Sequence, residues 1–171
     1  MKFIKPGWKE VDRLCEALSG KVADYRPEVL VGISRGGLVP VRLLSDLLDN
    51  RNVAVMKIEF YKGIGETKGF PTITQPLTAD IRGKRVLIVD DVADTGRSLI
   101  VAADYVKRQG AKEVRIATLH FKPTSLFRPD YFIKTTDAWI IYPWEVHEVE
   151  RELNKGKKRK WPIHDSSLGS S

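Results

Sequence analysis

The chain has 171 residues, 42% apolar and 30% charged, with 13 Gly and 9 Pro, which suits one globular domain with a tail. A disordered polyampholyte, a collagen-like repeat and a coiled coil are excluded, and no apolar run approaches the roughly 20 residues that span a bilayer. Lys and Arg number 29 against 22 acids; five of those bases and one acid lie in 155–171, leaving residues 1–154 at +3. That is too even a balance for a specific nucleic-acid face. The lone Cys15 cannot form an internal disulfide, and the N-terminus has no signal-peptide core, so a cytoplasmic protein with no membrane contact is expected.

In chain order, Trp8, Val11, Leu14, Cys15, Leu18 and Val22 recur at helical spacing and predict a helix over about 6–23. Val29 to Ile33 reads as a buried strand ending in the loop Ser34-Arg35-Gly36-Gly37, followed by a helix marked by Val39, Leu43, Leu44, Leu47 and Leu48. Val53 to Phe60 is a second strand. Residues 61–78 hold three glycines in their first half, with a weakly alternating arm over Pro71–Thr78; a loop of that length is usually mobile and functional. Arg85 to Val89 is a continuous apolar run, as central parallel strands require. A helix carrying Leu99, Ala102, Ala103 and Val106 follows, stopped at Gly110, then a strand over Val114–Leu119. Two short strand-like runs (Asp130–Lys134 and Ala138–Ile141) and a polar helix from about Trp144 complete the body. The alternation predicts an α/β fold: an open, mainly parallel sheet with helices on both faces, and the last short strands as an add-on.

Ligands in such sheets bind at the carboxyl ends of strands. There, Asp94-Thr95-Gly96-Arg97-Ser98 opens a helix with a glycine and two hydroxyls, an anion cradle suited to phosphate. Asp90 and Asp91 stand beside it. Carboxylates repel phosphate, so they address something else on the same ligand: sugar hydroxyls, directly or through Mg²⁺. A phosphorylated sugar fits both halves. No G-x-x-x-x-G-K-[ST] stretch occurs, which removes a triphosphate P-loop.

The thirteen residues Val86 to Ser98 resemble the phosphoribosyl pyrophosphate (PRPP) signature of type I phosphoribosyltransferases. Val31 to Pro40 is similar to the pyrophosphate loop of the bacterial xanthine-guanine branch, and Asp130-Tyr131-Phe132, Asp137 to Ile140 and Pro143-Trp144-Glu145 resemble its hood. The resemblance covers about 29–145. It implies a domain over 1–154 with a small C-terminal hood at about 122–145, and leaves 155–171 as a basic polar tail. It implies that Ser34, Arg35, Gly36 and Gly37 hold pyrophosphate, with the Ser34–Arg35 peptide cis. Asp90 and Asp91 would grip the ribose hydroxyls and Mg²⁺, and Val92, Ala93, Asp94, Thr95, Gly96, Arg97 and Ser98 would complete the PRPP site. Asp94 and Arg35 would be catalytic, the first as general base and the second on the leaving pyrophosphate. Lys122, Trp139 and Ile140 would bind the base, by donating to a 6-oxo group, by stacking and through a main-chain carbonyl. The segment 61–75 would be a lid.

The implied activity is Mg²⁺-dependent transfer of phosphoribosyl from PRPP to guanine, hypoxanthine or xanthine, in a purine-salvage enzyme that is at least a dimer. A PRPP- or nucleotide-sensing regulator, or a transferase for adenine or a pyrimidine, remains the alternative. Residues 123–129 suggest no role in this reading.

Overall fold

A computed structural model describes residues 2–61 and 69–154. The centre of the expected lid, 62–68, and the tail, 155–171, lie outside the described residues. The elements are β1 (Phe3–Ile4), α1 (Trp8–Val22), β2 (Val29–Ser34), α2 (Leu38–Leu47), β3 (Val53–Tyr61), β4 (Phe70–Gln75), β5 (Arg85–Ala93), α3 (Arg97–Arg108), β6 (Glu113–Phe121), β7 (Tyr131–Thr135), β8 (Trp139–Ile140) and α4 (Val146–Leu153).

Among the described residues the main sheet runs β4-β3-β2-β5-β6-β7. All its pairs are parallel except β3 with β4, so the arm expected over 71–78 folds back as an antiparallel edge. β2 leads through α2 outward to β3, whereas β5 leads through α3 to β6 on the other side. The chain therefore reverses its direction of winding between β2 and β5, and a crevice opens at their carboxyl ends, where such folds place ligands.

The two central strands supply both cores, because alternate residues face opposite sides. Val29, Val31, Val86 and Ile88 join Leu99, Ala102 and Val106 of α3. Leu30, Leu87 and Val89 join Val11, Leu14, Leu18 and Val22 of α1 and Val41 and Leu44 of α2. A Cβ on Gly32 would lie 2.7 Å from Val41 Cγ1; the missing side chain lets α2 settle against β2. Helices thus cover both faces, as the sequence pattern implies. No helix among the described residues is long and apolar enough to cross a membrane.

The hood differs from a C-terminal add-on. β7 extends the main sheet in register with β6, pairing Ala117 with Tyr131 and Thr118 with Phe132. β8 pairs in parallel with β1, Phe3 opposite Trp139 and Ile4 opposite Ile140. The extreme N-terminus is therefore part of the layer above the crevice. A two-residue strand has no periodicity of its own, so Phe3–Ile4 carried no signal.

Candidate active site

The first loop of the crevice follows β2. Its Ser34–Arg35 peptide is cis, as the resemblance implies. The Gly37 N–H donates to the Ile33 carbonyl at 2.8 Å, and the Leu38 N–H to the Arg35 carbonyl at 3.2 Å. The Gly37 N–H is therefore committed to holding the turn together. A Cβ on Gly37 would fall on the Val89 carbonyl oxygen and 2.8 Å from both Ile33 N and Ile33 O. One on Gly36 would lie 2.6 Å from the Asp91 carboxyl carbon. The acidic end of β5 is thus in direct reach of the glycine loop. Arg35 projects outward, 72% exposed, and both Glu148 carboxylate oxygens lie 2.7–2.9 Å from its Nη2.

β5 runs four residues past Val89, so Asp90 to Ala93 lie on the strand rather than in a loop. Its pairing to β6 matches Asp90 with Thr118, Val92 with His120 and Ala93 with Phe121. Strict alternation lapses there: Val89 and Val92 share one core cluster, Ile88 and Ala93 the other. Asp90 and Asp91 occupy the lapse, and the Asp91 N–H donates back to Asp90 Oδ1 at 3.0 Å. Ala93, 1% exposed, has its side chain in the core. It serves through its main chain, its carbonyl accepting from the Lys122 N–H at 3.0 Å. Val92 likewise packs its side chain inward, so neither offers a ligand-facing side chain.

Burial holds both carboxyls above the usual carboxylate range, with Asp91 adding to the rise at Asp90 and Glu145 to that at Asp91. A buried acid beside a half-buried one wants a cation or proton donors between them. Among the described residues no group of three or more His, Cys, Asp or Glu could hold a metal ion. An all-protein cage is absent there, whereas a pair of carboxylates that shares a cation with ligand oxygens suits Mg²⁺.

The second loop is short, Asp94 to Gly96, and leads into α3. Gly96 has φ +76°, the left-handed region that glycine occupies most readily. The Arg97 N–H reaches Thr95 Oγ1 at 3.4 Å, so this hydroxyl serves the helix start as well as facing outward. Ser98 lies half-buried in the first turn of α3. Arg97 donates to the Gly69 carbonyl at 3.1 Å, which ties the loop to the start of β4. Residues 123–129 have a role that the sequence reading did not give them. The Leu126 N–H donates to the Thr95 carbonyl at 3.0 Å, and a Cβ on Gly96 would lie 2.5 Å from Ser125 Oγ and 2.6 Å from Phe127 N. This segment braces the cradle from outside.

Lys122, 13% exposed, forms a 2.9 Å ion pair with Asp94, 52% exposed. Its Nζ lies 5.5 Å from the centroid of the Trp139 ring. Trp139 is 48% exposed and Ile140 buried, so the indole is available as a stacking surface and Lys122 is no free surface lysine. Sequence reasoning brought these three together only through the resemblance.

It gave no role to five side chains. Tyr142, 1% exposed, donates its hydroxyl to the Asp91 carbonyl at 2.9 Å and meets His120 Nδ1 at 2.8 Å. Burial pushes the His120 imidazole down to about 4, so it is neutral near pH 7. Trp144 stacks on Tyr142 with centroids 4.6 Å apart, and its buried Nε1 has no hydrogen-bond partner of good geometry among the described residues while favouring the ionised Asp91. Glu145 and Glu148 bring negative charge to the same crevice. The one available signal was Tyr142 itself, since a buried phenol requires a polar partner.

A model of the phosphoribosyl transferase domain matches residues 4–151. The xanthine-guanine phosphoribosyltransferase of Nitratidesulfovibrio vulgaris is 31% identical over 147 residues, covering 84% of this chain and 85% of that protein. That of Cereibacter sphaeroides is 29% identical over 154 residues, covering 85% and 88%. The solved purine phosphoribosyltransferase of Pyrococcus horikoshii superposes with a TM-score of 0.78 at 44% identity, over 84% of this chain and 94% of that one. A Helicobacter pylori xanthine-guanine-hypoxanthine phosphoribosyltransferase shares the fold at a TM-score of 0.76 and 24% identity, over 88% and 99%. With the crevice at the β2–β5 reversal, these matches place the chain in the type I phosphoribosyltransferase family, on the side of its bacterial xanthine-guanine members.

Proposed function

We propose that the chain is a purine-salvage enzyme that transfers phosphoribosyl from PRPP to a 6-oxopurine, giving a nucleoside 5′-monophosphate and pyrophosphate. The observation that carries this reading is the contact of Asp91 with the Gly36 loop beside the Asp94–Lys122 pair under Trp139. One crevice then offers an acidic wall for ribose, main-chain and cationic groups for phosphates, and an aromatic face with a donor and an acceptor for a base.

Each residue has a physical task. Thr95, Gly96, Arg97 and Ser98 bind the 5′-phosphate at the positive end of α3. Asp90 and Asp91 accept from the ribose hydroxyls. They also fit Mg²⁺, which when bound neutralises pyrophosphate charge and polarises the leaving group. Ser34 to Gly37 receive the pyrophosphate, with Arg35 turning from Glu148 toward it. The ribose passes through a cationic, oxocarbenium-like transition state, and the acidic Asp90–Asp91 pair stabilises the positive ring. Lys122 donates to the purine 6-oxo oxygen, which favours oxopurines over adenine because an amino group there is a donor. Asp94 accepts the proton from the ring nitrogen. Trp139 stacks on the base and the Ile140 carbonyl accepts from its edge. A cytoplasmic homo-oligomer completes the reading, and sedimentation equilibrium checks the assembly.

A panel of bases with PRPP and Mg²⁺ tests this function. Pyrophosphate release with guanine, hypoxanthine or xanthine, and little with adenine or uracil, is the expected result. Lys122→Ala should lower kcat/KM for the oxopurine about 100-fold while leaving PRPP binding within about threefold, because a charged hydrogen bond to the base is worth about 1.5–3 kcal/mol. Equal losses for both substrates, or no pyrophosphate from any base, would reject it.

A further inference from the structure

We propose that Tyr142 is a positioning residue for the acidic end of β5: its hydroxyl, oriented by His120, pins the Asp91 main chain and so sets how Asp90 and Asp91 face the ribose. This inference rests on the reading of those two acids as the ribose-binding pair.

The geometry leaves one arrangement of protons. Tyr142 Oη lies 2.9 Å from the Asp91 carbonyl oxygen and 2.8 Å from His120 Nδ1. A carbonyl only accepts, so the single phenolic proton points to Asp91, and the Tyr142 oxygen must accept from His120. His120 is therefore protonated on Nδ1. Thr118 Oγ1 closes the chain by donating to the His120 carbonyl at 2.8 Å. All three side chains are essentially sealed from water, at 0–1% exposure, so no solvent competes for these bonds.

The backbone is irregular at this point: alternation lapses at Asp90–Asp91, and the Asp91 N–H turns back to the Asp90 carboxylate. Tyr142 anchors the irregular stretch from the hood through the Asp91 carbonyl. It stands two residues after Ile140, in the segment whose Trp139 overhangs Lys122, and its ring is stacked within 6° of parallel on Trp144. One stiff stretch, 139–144, thus carries an indole to the base subsite and a phenol to the ribose subsite. The position of the base platform and that of the carboxylates are set by the same element.

Three measurements test this on the full-length protein. Nitrogen-15 NMR of the imidazoles should show one histidine, assigned through His120→Leu, in the Nδ1–H form at neutral pH; an Nε2–H form there overturns the arrangement. Tyr142→Phe should weaken PRPP binding about tenfold by calorimetry in magnesium buffer, in keeping with the loss of one buried hydrogen bond, while the oxopurine KM stays within about twofold. Equal weakening for both substrates, or PRPP affinity equal to the parent's, overturns the positioning role. If Tyr142→Phe alone folds poorly, the double variant Tyr142→Phe/His120→Leu removes the stranded imidazole donor and should recover melting temperature without recovering PRPP affinity. Recovery of both overturns the proposal, since the defect would then be one of folding alone. A parent protein that binds no PRPP defeats the functional reading itself, a result distinct from these.

Discussion

Two loops meet in the crevice, one after β2 and one after β5, and both depend on glycine for different reasons. Gly37 has an ordinary backbone, φ −72°, that any residue adopts. What it lacks is room, because a side chain would enter the main chain of Val89 and Ile33. Gly96 has φ +76° and is also hemmed in, by Ser125 and Phe127. The first loop is stabilised by the sheet beneath it. The second is braced by a segment some thirty residues further along the chain. A phosphate site can therefore be rigid by inheritance from its strand or by support from outside, and this molecule uses one of each.

The sharpest way to break that contrast is Gly37→Ala. The groups in the way are main-chain atoms of β2 and β5, which cannot yield without disturbing the central pair of strands, so a loss of about 3 kcal/mol is expected from overpacking. Urea unfolding measures it, and a loss below about 1 kcal/mol would show that the loop is not seated on the sheet as described. Gly36→Ala makes the complementary case one residue earlier. There the obstacle is the Asp91 carboxylate, the mobile end of a side chain. Stability should change by less than about 1 kcal/mol, since no main chain must move. PRPP affinity should fall by about 100-fold because the displaced carboxylate no longer meets the ribose.

The contrast also marks what the sequence could and could not show. The apolar runs of β2 and β5, the periodicity of α1 and α3 and the acids at 90, 91 and 94 are local patterns, and they place the sheet, its two helical faces and the crevice. The reach of β5 through Val92 and Ala93 was not legible, because the run of acids looks like the end of a strand, whereas pairing with β6 carries β5 through them. The bracing by Ser125 and Phe127, the pinning by Tyr142 and the pairing of Phe3–Ile4 with β8 are contacts between distant segments. No residue spacing encodes such a contact. Only a family resemblance could have brought Lys122 to Asp94.

Gly96→Ala comes next in size. A left-handed backbone costs an ordinary residue about 1–2 kcal/mol, and the clash with Phe127 N at 2.6 Å adds to it, for an expected total of about 2 kcal/mol. Gly96→Asn separates the two causes. Asparagine tolerates the left-handed region, so it relieves the backbone strain and leaves the crowding. If the Gly96→Asn variant unfolds at the same urea concentration as the parent, the brace is too loose to matter and the two loops differ less than their contacts suggest.

The smallest effect is expected at Glu148, which reaches across from α4 to the exposed end of the first loop. Its ion pair with Arg35 is short, yet the two side chains are 72% and 41% exposed, and such pairs contribute about 0.2–1 kcal/mol. An incoming pyrophosphate must take Arg35 away from this partner. Glu148→Gln should therefore tighten pyrophosphate binding by up to about fivefold at low ionic strength, the factor that follows from about 1 kcal/mol. The gain should vanish near 1 M salt, where screening reaches about 3 Å. Calorimetry at both ionic strengths gives the answer. Weaker binding in the variant would mean that Glu148 aims Arg35 at its ligand rather than competing for it. The loop after β2 would then rely on a distant segment as the loop after β5 does, with the fixed glycine turn and its arginine held by separate parts of the fold.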